Sequence, residues 1–144
     1  MRHNLDVMHI EKNICDSVMW TVLDIDNKSK DSLKARLDLK MMGIQKELHP
    51  EDGKTTFPRA CYTLSKDEKK AVFQWLQNVK VSDGYSVNLS QCVNVGEQNI
   101  FGMKTHDCHV FLERLLPLVV RELLPKKVFD ALIELSNFFK RIML

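Results

Sequence analysis

The chain has 144 residues, 44% of them hydrophobic and 28% charged, enough apolar material for one ordinary domain or a piece of a larger one, with a soluble globular composition. Lys and Arg number 21 against 19 Asp and Glu, a formal net charge of +2, so no general electrostatic argument for nucleic-acid binding exists. The longest apolar runs, such as Leu115-Leu116-Pro117-Leu118-Val119-Val120 between Arg114 and Arg121, are too short for a membrane span. The opening Met1-Arg2-His3-Asn4-Leu5-Asp6 lacks the apolar core and cleavage site of a signal peptide, which makes an intracellular, reducing setting the default and the four cysteines thiols rather than disulfides.

In chain order, the first helix is expected from about Leu5 to Leu23. At 100° per residue Val7, Ile10, Ile14, Val18 and Val22 form an apolar stripe, with Asp6, His9, Asn13 and Asp16 on the other side. A second helix is expected from about Asp31 to Met42, with Leu33, Leu37 and Met41 at helical spacing and Gly43 as its stop. Between Ile44 and Tyr62 the pattern collapses around Pro50, Gly53 and Pro58 into an irregular connection. Ser65-Lys66-Asp67-Glu68 reads as a capping box that starts a helix to about Val79, burying Ala71, Val72, Trp75, Leu76 and Val79. Asp83-Gly84 marks a turn, and residues 85 to 102 read as loop with a short strand or helix.

The last third is helical. Thr105 is expected to cap a helix carrying Val110, Phe111, Leu112, Leu115, Leu116, Val119 and Val120, with a kink or a division at Pro117. A final helix from about Lys126 to Met143 follows Pro125 and carries a wide apolar face at Val128, Phe129, Leu132, Ile133, Leu135, Phe138, Phe139 and Ile142. Leu144 falls in mid-helix without a stop signal, so the chain reads as cut off there. The basic clusters at Lys28 to Lys40 and Lys66 to Lys70 are interleaved with acids and read as solvated helix faces.

Glu11 is the residue that breaks the pattern. It falls inside the apolar stripe of the first helix, where a carboxylate needs a compensating cation or hydrogen-bond donor. It reads either as a divalent-metal ligand with carboxylate partners from elsewhere or as a Glu neutralised by a basic residue across the core. His106, Cys108 and His109 suggest a metal cluster, but the other cysteines are isolated singletons, and a helix start with Asp107 in its first turn is the better reading. A Cys108 and His109 thiol pair is disfavoured because adjacent helical residues face different ways. Asn88-Leu89-Ser90 matches a glycosylation acceptor that has no consequence without secretion.

Five blocks carry a resemblance. They are Arg2-His3-Asn4-Leu5-Asp6-Val7-Met8-His9-Ile10-Glu11-Lys12-Asn13, Glu47-Leu48-His49-Pro50, Ala60-Cys61-Tyr62-Thr63-Leu64-Ser65, Gly102-Met103-Lys104-Thr105-His106-Asp107-Cys108-His109 and Leu115-Leu116-Pro117. In collinear order over nearly the whole chain they resemble the CACTA (En/Spm-type) transposases of plants, most specifically in the first and fourth blocks.

The resemblance implies a nuclear cut-and-paste DNA transposase with an RNase-H-like catalytic core and three metal-binding acidic residues. Glu11 is then the third, on the last catalytic helix, with Asp6, His9 and Asn13 as candidates for the shell around it. Mg²⁺ or Mn²⁺ is the implied cofactor and transposon-end DNA the implied partner. The two earlier acidic residues and their strands are expected upstream. Residues 1–64 then correspond to the end of the core and an irregular connection, 65–101 to a linking helix and loop, and 102–144 to the start of a downstream helical region. This predicts a mainly α chain with little or no sheet, inactive by itself and holding no ion tightly. From a different class, a helical module for self-association or protein binding would account for the apolar faces of the last helices.

Overall fold

The computed structural model describes residues 2–25, 28–79 and 89–142, with side chains from residue 7 onward. The turn expected at Asp83-Gly84 and the Asn88 acceptor lie outside these residues. The described chain is mainly helical, and its sheet is one two-stranded hairpin. No helix among the described residues is long and apolar enough to cross a membrane.

Helix α1 spans Arg2–Val22. Its buried face runs through Glu11, Cys15, Met19 and Val22, steps of four, four and three that keep one line on a helix. The expected stripe is thus rotated: Ile10 is 52% exposed, while Ile14 and Val18 are only partly buried. Asp24 ends the helix in the left-handed region at φ 51°. There Ile25 N donates to Trp20 O at 2.9 Å and Asp24 N to Thr21 O at 3.2 Å, the paired bonds of a Schellman stop, with Ile25 buried behind them.

Helix α2, Leu33–Met42, is capped by Ser32 and stopped by Gly43 at φ 69°, as its sequence signals require. Its apolar positions do not dock it, since Leu37 and Met41 are exposed and Arg36 is the buried residue. The Arg36 guanidinium donates Nε to Asp31 Oδ1 at 2.5 Å, Nη2 to Asp31 Oδ2 at 2.8 Å and Nη1 to Leu48 O at 2.7 Å. It also stacks 4.5 Å from the Phe57 ring centroid. A planar fork with every edge occupied lets this charge leave water and anchor the irregular connection, which holds one 3₁₀ turn at Lys46–Leu48.

Helix α3, Lys66–Asn78, has the reciprocal Ser65 and Glu68 capping box. Its inner face is Val72, Phe73 and Leu76, whereas Ala71 is exposed and Trp75 is 38% exposed. Phe73 takes the inner position expected of Trp75. A short helix α4, Leu89–Cys92, leads into β1, Val93–Asn94, paired antiparallel with β2, Asn99–Ile100. Val93 and Ile100 point into the core from this hairpin.

Helix α5, Thr105–Val110, begins one residue earlier than a Thr105 cap would give, with Asp107 Oδ2 accepting from Lys104 N at 3.0 Å. It continues as a π-helical turn, Phe111–Leu115, and then as α6, Leu116–Val120. Pro117 explains the break. Its ring nitrogen has no proton for the carbonyl of Glu113 four residues earlier, and the turn widens ahead of it. The Ser136 hydroxyl, buried in the last helix, donates to that carbonyl at 3.4 Å.

Helix α7, Lys126–Ile142, packs on α6 and the π turn. Only Ser136 and Phe139 are fully buried, and Phe138 and Ile142 remain exposed, so its wide apolar face is partly covered. One continuous apolar core links Cys15 and Met19 of α1, Phe73 and Leu76 of α3, Cys108, Leu112 and Val120 of the fifth and sixth helices and the π turn, and Phe139 of α7. The four cysteines are free thiols.

The Arg36 guanidinium holds the Asp31 carboxyl below its usual value. This stabilisation is present above the ordinary Asp range and is lost as pH falls through the depressed folded value. Asp31→Asn is expected to cost about 3 kcal/mol by leaving Arg36 buried and unpaired. Urea denaturation at neutral pH measures the loss, and the wild-type advantage over the variant should shrink in acid.

Candidate functional site

Helix α1 packs more extensively against α5 than any other pair of elements packs together, and their contact contains charge. Glu11 is 1% exposed. Its Oε1 lies 2.6 Å from His109 Nδ1, across 98 residues of sequence. The other ring nitrogen, Nε2, lies 3.2 Å from Glu113 Oε2 on the adjoining π turn. The His109 ring therefore stands between two carboxylates.

Burial is uneven across the cluster. The side chains of Glu11, Glu113 and His109 are 1%, 10% and 25% exposed, so the histidine gives the cluster its access to solvent. The second oxygen of each carboxylate, Glu11 Oε2 and Glu113 Oε1, is buried without a hydrogen-bond partner. Loss of hydration pushes the Glu11 carboxyl above its ordinary value, opposed by the hydrogen bond and charge of His109 and reinforced by Glu113. The basic partner demanded by Glu11 on a core-facing stripe is His109.

A sulfur network continues along the same helix contact. Cys15 and Cys108 are both buried, and the hydrogen bond from Cys15 to Cys108, together with burial, holds the Cys15 thiol above its ordinary value. Cys108 Sγ donates to Asp16 Oδ1 at 3.9 Å, and Asp16 Oδ2 accepts from Lys12 Nζ at 3.0 Å. These groups are committed to one another. Among the described residues, those that could hold a cation are Glu11, His109 and Glu113, which each offer a ligand atom within 4.8 Å of the others.

The other sequence candidates lie elsewhere. His9 and Asn13 are exposed, each 200° round α1 from Glu11, and the Asp6 side chain falls outside the described residues. His106 is exposed, while Asp107 is buried at the helix start. The lysines at the first basic cluster act locally: Lys28 lies 5.4 Å from the Trp20 ring centroid, and Lys40 pairs with Asp52.

Glu113 went unnoticed in the sequence. The signal was the four-residue spacing of His109 and Glu113, which sets two side chains on one helical edge; their convergence with Glu11 has no local signature. No family model, curated protein or solved structure matches the chain.

A double-mutant cycle of Glu11→Ala and His109→Ala in the presence of a chelator measures the buried contact. The expected coupling energy is about 2 kcal/mol, the range for a hydrogen bond to a charged group; additive effects would count against the contact.

Proposed function

We propose that the chain is a segment of a CACTA (En/Spm-type) cut-and-paste DNA transposase in which Glu11 supplies one of the metal-binding carboxylates. The observation that carries this reading is a convergence. The two blocks most specific to the resemblance, residues 2–13 and 102–109, meet at one buried polar site, with Glu11 and His109 in contact at 2.6 Å. Resemblance along the sequence and proximity in space are separate observations, and Glu11 is the residue they share.

The donor set fits a divalent cation. One imidazole nitrogen and two carboxylates, two of whose oxygens are buried and unpaired, suit Mn²⁺ better than Mg²⁺, which favours oxygen ligands and retained water. Held by Glu11 and the further carboxylates of the intact enzyme, a divalent ion would supply activation of the attacking water or 3′-hydroxyl and stabilisation of the leaving oxygen. The part played by this chain is to hold Glu11 out of bulk water and to fix its orientation through His109. DNA as substrate and a nuclear location follow from the same reading.

The carboxylate that joins Glu11 among the described residues is Glu113, held through the same histidine. The chain by itself is therefore expected not to nick transposon-end DNA with Mg²⁺ or Mn²⁺. Joined to an upstream segment that carries two further acidic residues, it should gain metal-dependent nicking that Glu11→Gln abolishes. Robust nicking by the isolated chain, lost in Glu11→Ala, would overturn the inactivity.

A second reading, a helical module for protein binding or self-association, draws on a surface groove of about 280 Å³ lined by Val72, Trp75, Leu118, Val119 and Leu123, with Glu122 at its edge. Its mark in solution would be a stable oligomer that Leu118→Glu dissociates, with no salt-dependent DNA binding.

A further inference from the structure

We infer that Glu11, His109 and Glu113 bind one divalent transition-metal ion of the zinc class, at a site assembled entirely within this chain. The inference uses the Glu11 site described above but needs neither DNA nor upstream carboxylates. It departs from the expectation that the chain alone holds no ion tightly, which rested on Glu11 having no partners.

Three observations carry it. The ligand atoms already lie within 4.8 Å of one another, so movements of about an ångström bring them to the spacing of a shared ion with ligand distances near 2 Å. Two carboxyl groups share a single imidazole, where little water reaches them. Most telling are the orphaned oxygens, Glu11 Oε2 and Glu113 Oε1, buried on side chains at least nine-tenths out of solvent. Buried carboxylate oxygens are normally paired, and a cation would satisfy both.

The backbone sets two of the ligands on one edge of the same helical segment. His109 lies in the last turn of α5 and Glu113 in the π turn that follows, four residues on. Pro117 and Ser136 account for that turn from the far side. The ion would join α1 to this segment, with His109 as its entry edge and water completing the coordination.

Ligand chemistry selects the ion. An imidazole with two carboxylates suits Zn²⁺, Co²⁺ or Mn²⁺ over Ca²⁺. The nearby thiols of Cys15 and Cys108 are engaged with each other and with Asp16 and stand outside the donor set. Binding displaces whatever protons the ring and carboxylates share at the contact, and these pass to solvent.

The test uses the full chain carrying Cys61→Ser, which removes the exposed thiol as a competing ligand. The metal-free protein is titrated with Zn²⁺ by calorimetry and with Co²⁺ by visible absorption. One ion per chain is expected, with cobalt ligand-field bands and no sulfur-to-cobalt charge-transfer band. Glu113→Gln, at the rim of the site, should weaken binding by about tenfold or more, and His109→Gln should remove the cobalt bands. Circular dichroism reports whether each variant folds, and an unfolded variant is replaced by Glu113→Asp. No saturable binding by the parent chain, unchanged affinity in the variants, or a sulfur charge-transfer band would overturn the site. None of these readouts depends on DNA cleavage, so its failure and that of the transposase reading are distinguishable.

Discussion

A carboxylate on the inward face of α1 is the constraint around which this molecule is organised. Removing Glu11 from water costs several kcal/mol unless another group compensates it, and the compensating group is His109 at 2.6 Å. That contact fixes how α1 lies on α5. With Glu11 set against His109, Cys15 one turn on meets Cys108, and Asp16 reaches the same sulfur while holding Lys12. Further along α1, Met19 and Val22 are buried in the apolar core. The polar end specifies the register, and the apolar end supplies the area that stabilises it.

The helix opposite α1 is shaped by a second constraint. Pro117 withdraws a backbone donor from the turn above it, and the chain widens into a π turn before resuming as α6. Glu113 lies in that turn, next to His109. Ser136 of α7 reaches the carbonyl left free. A single proline, one turn after Glu113, thus connects the last helix to the backbone that presents that residue. The irregular connection is anchored on a different principle, a guanidinium that donates to Asp31 and Leu48 and stacks on Phe57.

Local signals in the sequence are legible because their physics is local. Ser65 with Glu68, Gly43 and Pro125 mark helix ends through bonds or torsions that span a few residues, and the ends fall where they indicate. Faces were less legible. The stripe through Ile10 and the stripe through Leu37 and Met41 follow side-chain polarity, but the tertiary contacts prefer the edge holding Glu11 in α1 and the one holding Arg36 in α2. In both cases a charge with a well-placed partner is buried while a nearby aliphatic residue is left outside. Projection along one helix cannot reveal that, because the partner lies on another segment. For the candidate site, the inward Glu and its need for a basic partner were legible, but the partner's identity and the part of Glu113 were not.

These features give the cluster two roles of different reach. As part of the proposed transposase, Glu11 is one carboxylate among several and the chain positions it. As a site in its own right, the cluster is a donor set with unpaired buried oxygens, set where two helices join. The second role depends on Glu11, His109 and Glu113 acting on one shared cation, and the first does not. Anomalous diffraction at the zinc edge from crystals grown with Zn²⁺ tests this most directly. The account predicts one anomalous peak within coordination distance of all three side chains. A peak at the cysteine sulfurs with none between Glu11 and His109, or no ordered zinc at this cluster, would contradict it.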